Sequence, residues 1–312
     1  MKKVSLIPAY EPTESLIDLL KELKKDKFAI VVVDDGSGKK YKKIFDKAKD
    51  YAEVISYIPN MGKGHALKEG LKLIKDKYSD YKIVTMDSDG QHTVKDANRL
   101  LEQVKPNTLL LGKRMIEKNT PLRSRLGNTI TRVVNYLASG VKIYDTQTGL
   151  RAFDSSIIDY LLNVKGNRFE YEMKCLLQSK KNNVNIEEIV IKTIYLNNNS
   201  GSHFNTIKDS YRIYKEIIKF ILPSIIYMVL GLLLFWIIYR YLPDAISAVV
   251  IASSIVILLS SLVSYRGKIN YLIFNILYML VEILAVVVFK EHPYLLNTIF
   301  TILLFQIRNM YF

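Results

Sequence analysis

The chain predicts an α/β fold built on a mostly parallel sheet, followed by an all-α membrane part of four helices. Three observations lead there. Short apolar runs alternate with amphipathic stretches through residue 112, acidic turns follow the second and fourth of those runs, and charge thins abruptly after residue 219. Alternating strands and helices give a sheet covered on both faces, with ligands bound beyond the carboxyl ends of its strands.

The expected strands are Val4–Pro8, Phe28–Val33, Val54–Ile58, Lys82–Met86 and Thr108–Gly112. Between them, Glu14–Lys25, Lys40–Tyr51, Gly64–Lys77 and Val94–Val104 have the spacing of half-buried helices. Beyond Gly112 comes a basic stretch with Arg114, Arg123, Arg125 and Arg132 around an expected helix, then a helix over Glu170–Lys181 and a strand over Ile186–Tyr195. Asn197-Asn198-Asn199-Ser200-Gly201-Ser202 has the composition of a linker. Residues 1–205 would form one domain, 206–219 an amphipathic helix at a membrane interface, and 220–312 the membrane part.

Charge separates the same regions. Residues 220–312 hold five basic and three acidic side chains, so they carry +2 of the formal +14 and the first 219 residues carry +12. A basic domain fused to an apolar one fits an anionic membrane surface. Nucleic acid would also attract such charge, but no zinc, helix-turn-helix or RNA-binding signature accompanies it. The single cysteine, Cys175, excludes an intrachain disulfide and a cysteine metal cluster. Met1-Lys2-Lys3 precedes too short an apolar run for a signal peptide, so the N-terminal domain is expected in the cytoplasm.

Apolar segments at about 220–239, 245–263, 271–289 and 294–308 are the expected spans. Short connections make them antiparallel, and an even number returns the C-terminus to the cytoplasm. Arg266, Lys268 and Arg308 then lie inside, as the positive-inside rule prefers. Glu282, with Asn275 and Tyr278 on the same helical face, is either a functional intramembrane carboxylate or a group that ties helices together.

Chemistry is concentrated in three turns. Asp87-Ser88-Asp89-Gly90-Gln91-His92 directly follows a strand-like run and presents Asp87, Asp89 and the Gln91 amide as hard oxygen donors. Such a group suits a divalent ion on the diphosphate of an activated sugar; a polar turn closing a strand is the other reading. Val33-Asp34-Asp35-Gly36-Ser37 offers carboxylates to a base or ribose, with Gly36 letting the backbone approach the ligand. Asn60-Met61-Gly62-Lys63-Gly64 opens a helix with Lys63 placed for phosphate, although it is not a P-loop.

With Ile7-Pro8-Ala9-Tyr10-Glu11-Pro12 ahead of them, these motifs closely resemble family 2 glycosyltransferases of the GT-A fold, whose sheet is Rossmann-like. Gly112-x-Arg114, Asp145-Thr-Gln-Thr-Gly-Leu-Arg151 and the loop Ser202-His203-Phe204 extend the likeness toward dolichyl-phosphate mannose synthases and bacterial undecaprenyl-phosphate glucosyltransferases. The tail resembles GtrA-type membrane domains in span count and closing residues. The resemblance implies a nucleotide pocket from Pro8, Ala9, Tyr10, Glu11, Asp34, Asp35, Lys63, Asp87 and Ser88, with Arg151 orienting the diphosphate region. It implies Mg²⁺ or Mn²⁺ on Asp87, Asp89 and Gln91. Arg114, Arg125 and Arg132, with Ser202 and His203, would grip the lipid phosphate. His203 replaces the family's usual Lys, and Glu11 stands where Asn is common.

The implied reaction transfers a hexose from a nucleoside-diphosphate sugar, of the GDP-mannose or UDP-glucose class, to a polyprenyl phosphate at the cytoplasmic membrane face. A lipid phosphate is already anionic, so it attacks without a strong base and inverts the anomeric centre; Asp145 is the candidate should a base be needed. Asp89, Arg114, Arg125 and Asp145 are the expected catalytic set. Two other functions are compatible with a nucleotide-sugar fold. A processive synthase usually carries Gln-x-x-Arg-Trp, whereas the single tryptophan here is Trp236 in an expected span. A lipid-glycan flippase or scaffold would have an inactive transfer domain, against which the intact Asp-x-Asp-x-Gln argues. Sugar, nucleobase, polyprenol and oligomeric state stay open, a homo-oligomer included.

Overall fold

A computed structural model describes residues 1–114, 131–132, 135–136, 141–192, 206–242, 244–264, 276–277, 279–281, 283–284 and 287. Arg123, Arg125, Ser202, His203, Asn275, Tyr278 and Glu282 lie outside them, as do the linker at 197–202 and most of the third and all of the fourth expected spans. The chain divides into two compact units, residues 1–136 with 141–216 and residues 137–140 with 217–312.

The first unit is built on seven strands: β1 (Lys2–Ala9), β2 (Ala29–Asp34), β3 (Glu53–Ser56), β4 (Tyr81–Thr85), β5 (Thr108–Arg114), β6 (Arg151–Asp154) and β7 (Asn185–Ile191). Their order across the sheet is β3-β2-β1-β4-β6-β5-β7. Parallel pairing joins β1 to β2 and β4, β2 to β3, and β5 to β7, while β6 runs antiparallel between β4 and β5. The mostly parallel GT-A-type sheet expected from the sequence is therefore present. β6 is the exception the motif reading did not foresee, because four residues are too few to show a strand period.

Strand alternation sends side chains to two cores. Ile7, Val32 and Val84 face one side, where they meet Leu16 and Leu20 of α1 (Ser15–Lys25), Phe45 of α2 (Lys42–Ala48) and Leu100 of α4 (Val94–Gln103). Leu6, Val33 and Ile83 face the other, against Leu67, Leu71 and Ile74 of α3 (Lys63–Lys77), Leu161 of the helix Ile158–Asn163 and Leu176 of the helix Phe169–Leu177. Thr93 caps α4, its hydroxyl accepting from the Asp96 amide at 3.0 Å. The helix expected over Glu170–Lys181 stops at Leu177, and the chain then turns through Asn183 at φ 57° into β7. Because β1, β2 and β4 run parallel, their carboxyl ends share one rim. β5 also ends there and β6 begins there, with Arg151 paired to Thr85 and Leu111.

In the second unit, Phe235, Ala248, Val249 and Ala252 form a small core, and Phe235 stacks on Tyr239 at 5.7 Å. The expected interfacial helix at 206–219 and the first expected span are one continuous helix, Thr206–Tyr241, and a second helix covers Ala245–Ser264. Among the described residues no helix is long and apolar enough to cross a membrane.

Candidate active site at the carboxyl rim

The turn after β2 is built around Asp35. Its side chain is only 3% exposed and accepts from the Tyr57 hydroxyl (2.9 Å), the Asn60 side-chain amide (3.0 Å), and the main-chain amides of Met61 (2.8 Å) and Gly62 (2.9 Å). Burial, and then the hydrogen bond to Asp35, raise the Tyr57 pKa. Asp35 thus ties two turns together, and its oxygens are occupied by the protein itself. Gly36 serves the same junction. At φ +73° a Cβ there would lie 2.5 Å from the Asn60 amide nitrogen, so the close approach it permits is to protein backbone. Asp34 accepts from the Ser37 amide at 2.9 Å, and the Ser37 hydroxyl accepts from the Glu11 amide at 2.8 Å.

Pro8 and Ala9 are buried at the end of β1, while Tyr10 and Glu11 emerge half-buried at the rim. Burial first, then the hydrogen bond to Glu11, raise the Tyr10 pKa. Glu11 sits at φ 47°, a left-handed conformation that Asn tolerates better than Glu. Ser88 is half-buried and its carbonyl accepts from Ser15 Oγ at 3.3 Å.

The turn after β4 is held by charge instead. Lys63 Nζ, at the start of α3, lies 2.8 Å from Asp87 Oδ1 and 2.9 Å from Glu172 Oε2. His92 Nε2 stands 3.6 Å from Asp87 Oδ2. Burial lowers the Lys63 pKa, but Asp87 and Glu172 raise it by more, leaving it above its ordinary value. Burial likewise opposes ionisation of Asp87, yet Lys63 and His92 hold its carboxyl well below the usual range. Asp89 has the reverse balance: burial and the nearby Asp87 charge raise its pKa, while its Oδ1 accepts from the main-chain N–H of Gln91 at 3.0 Å. Behind Asp87 lies Gly149, where a Cβ would fall 2.2 Å from Asp87 Oδ2. Only a residue without a side chain lets that carboxylate occupy its place.

The basic residues fall into different surroundings. Arg114 forks onto Asp145, with Nε 2.7 Å from Oδ2 and Nη2 3.0 Å from Oδ1, and Asp145 is 1% exposed. The two residues are thus a bidentate pair. Arg151 is 5% exposed; its Nε donates to the Thr148 carbonyl (3.0 Å) and its Nη1 to the Glu172 carbonyl (3.1 Å). It braces the rim from below rather than facing outward. Arg132 is half-buried, its guanidinium 5.7 Å from the Tyr144 ring. Beneath the rim, Thr85, Arg151, Glu172 and Cys175 help line a cavity of about 20 Å³, room for roughly one water. Burial pushes the Cys175 thiol up to about 12, so it stays protonated.

Among the described residues no group of three or more His, Cys, Asp or Glu side chains is set to hold a metal. Asp87, Asp89 and Gln91 nevertheless fit a hard divalent ion that takes its other ligands from a diphosphate. The donors are oxygens, and the repulsion that raises the Asp89 pKa is what a cation would relieve. Sequence reasoning missed Glu172, and a signal existed. It is 9% exposed beside buried Tyr171, Cys175 and Leu176, so it is a charge on the core stripe of an amphipathic helix.

Residues 6–162 match glycosyl transferase family 2. An uncharacterised protein of Methanocaldococcus jannaschii is 33% identical over 225 residues, covering 69% of this chain and 90% of that protein. A UDP-N-acetylglucosamine–dolichyl-phosphate N-acetylglucosaminyltransferase of Methanococcus voltae is 30% identical over 213 residues, covering 61% of this chain and 84% of its own length. A dolichyl-phosphate beta-glucosyltransferase of Saccharomyces cerevisiae is 27% identical over 250 residues, covering 68% and 72% respectively. With the rim motifs inside the matched segment, the chain belongs to glycosyl transferase family 2 and is a glycosyltransferase.

Proposed function

We propose that this enzyme transfers a sugar from a nucleoside-diphosphate donor to a polyprenyl phosphate at a membrane surface. The observation that carries the reading is the Asp87–Asp89 pair at the carboxyl rim of parallel strands, where ligands of such sheets bind. The acceptor class comes from two of the three relatives, those of Methanococcus and Saccharomyces, whose names give dolichyl phosphate. The Methanococcus name favours a uridine donor carrying N-acetylglucosamine, and the Saccharomyces name favours glucose as the sugar.

An oxygen of the acceptor phosphate, anionic near neutral pH, attacks the anomeric carbon. The bond from that carbon to the donor diphosphate breaks, its electron pair leaves with the nucleoside diphosphate, and in-line displacement inverts the centre. Mg²⁺ or Mn²⁺, when bound, supplies positive charge to the leaving diphosphate. Asp89 and Gln91, with Asp87, would hold it. Tyr10 and Glu11, half-buried at the rim, would meet the nucleoside, and Asp35 would shape that pocket by fixing the turns around it. Arg114, anchored by Asp145, would present a fixed cation at the end of β5, and no strong base is required.

The apolar tail would form GtrA-like membrane spans that keep the site beside its lipid, with the transfer domain on the cytoplasmic side. The sequence of Ala245–Ser264 holds no Asp, Glu, Lys or Arg, as a lipid-facing segment would. Leu222, Ile226, Leu233 and Trp236 are exposed on the preceding helix, as lipid-facing residues would be.

The full chain in detergent should release nucleoside diphosphate only when both polyprenyl phosphate and a divalent metal are added. Asp89→Ala should lower that release by roughly 10²–10³-fold or more. Release without the lipid, or near-normal transfer by Asp89→Ala, would overturn the proposal.

A further inference from the structure

Four ionised side chains form a line under the rim. Arg151 Nε lies 3.5 Å from Glu172 Oε1, Glu172 Oε2 lies 2.9 Å from Lys63 Nζ, and Lys63 Nζ lies 2.8 Å from Asp87 Oδ1. Their side chains are 6%, 12%, 17% and 31% exposed, so water screens the inner members poorly. Two positive and two negative charges balance. Asp89 is the surplus negative charge beside the line, close enough to Asp87 for the two to repel. Glu172 comes from the helix Phe169–Leu177, and its carboxylate reaches the turn after β4 through the Lys63 ammonium. Of its two cationic partners, Arg151 and Lys63, Lys63 is the one that also holds Asp87.

We infer that Glu172 is a positioning residue: it shares the Lys63 ammonium with Asp87 and thereby sets how strongly the Asp87–Asp89 rim attracts a divalent cation. With Glu172 in place, the Lys63 charge is divided between two carboxylates. Without the Glu172 charge, the whole ammonium falls on Asp87, and an arriving cation meets a net positive line. Without Lys63, Arg151 alone faces the two carboxylates of the line, which turns net negative, and the same cation is drawn in. The two removals therefore act with opposite sign. For partly buried unit charges several ångströms apart, each should change affinity by roughly tenfold. The inference rests on the cation site proposed for the sugar donor, and deepens it.

The probe is Mn²⁺ alone, titrated into the full chain in detergent and followed by electron paramagnetic resonance, with melting temperature recorded alongside. Glu172→Gln should bind Mn²⁺ roughly tenfold more weakly than the parent and Lys63→Gln roughly tenfold more tightly. The double variant should return near the parent. Glu172→Asp keeps the charge and should stay within about twofold. A purely structural role would lower melting in both single variants and shift Mn²⁺ affinity in the same direction in both, or in neither; that result overturns the inference. Should Glu172→Gln not fold, the sign of the Lys63→Gln change decides alone, and weaker binding refutes it. If the parent itself binds no Mn²⁺, the cation site fails first, which separates the two failures.

Discussion

Two turns at one sheet rim begin with carboxylates and treat them in opposite ways. After β2, Asp35 is surrounded by neutral donors, among them the amides of Met61 and Gly62 and the Tyr57 hydroxyl. After β4, Asp87 is held by an ammonium and an imidazole, and Asp89 has one amide and a like-charged neighbour. A carboxylate satisfied by its own backbone serves as a joint. One compensated by charged side chains can exchange them for a ligand's charge. The partner type, more than the acidic residue itself, separates scaffold from chemistry.

The comparison can be broken most severely at Asp35. Asp35→Ala strands several buried donors, and should cost about 3–5 kcal/mol, lowering the melting temperature by roughly 6–12 °C. An unchanged melting curve would deny Asp35 its structural role. Gly149→Ala tests the other turn: its methyl displaces the Asp87 carboxylate, so transfer should fall by about 10- to 100-fold, or 1.4–2.7 kcal/mol of transition-state stabilisation. Full kcat/KM in that variant would mean Asp87 can shift without consequence. Asp34→Ala removes the acceptor of one exchanged hydrogen bond, that of the Ser37 amide, and should cost about 0.5–1.5 kcal/mol in a thermal melt.

The smallest effect concerns pH. Burial and the Asp87 charge raise the Asp89 pKa in the folded chain, so the folded state keeps that proton to higher pH than the unfolded state. Stability linked to it is full below the ordinary carboxylate range and falls as pH rises through the raised value. Asp89→Asn carries no charge, so without metal it should melt about 1–3 °C higher than the parent at pH 7. That gain should vanish as pH drops through the ordinary range. A gain independent of pH would point to packing instead.

The tail offers a milder contrast. An interfacial helix and a first span were expected as separate elements, yet Thr206–Tyr241 is continuous. The composition changes near residue 219, but nothing there stops a helix: Pro223, the nearest breaker, is carried within it. Side-chain polarity marks where an environment would change, whereas helix ends are set by backbone hydrogen bonding.

Periodicity alone determined the parallel core strands, the helices between them and the rim on which the acidic turns lie. Those features follow from neighbours in sequence: alternation assigns strand faces, and parallel pairing places all carboxyl ends together. β6 escaped notice because Arg151–Asp154 is short and is recognised only by pairing with β4 and β5. Tertiary structure alone decided which charges meet. Arg114 faces Asp145, Lys63 faces Glu172, Arg151 turns inward, and Asp35 gathers amides from a different turn. An ionic or hydrogen-bonded partner is chosen by distance in space, and a local pattern of residues carries no measure of that distance.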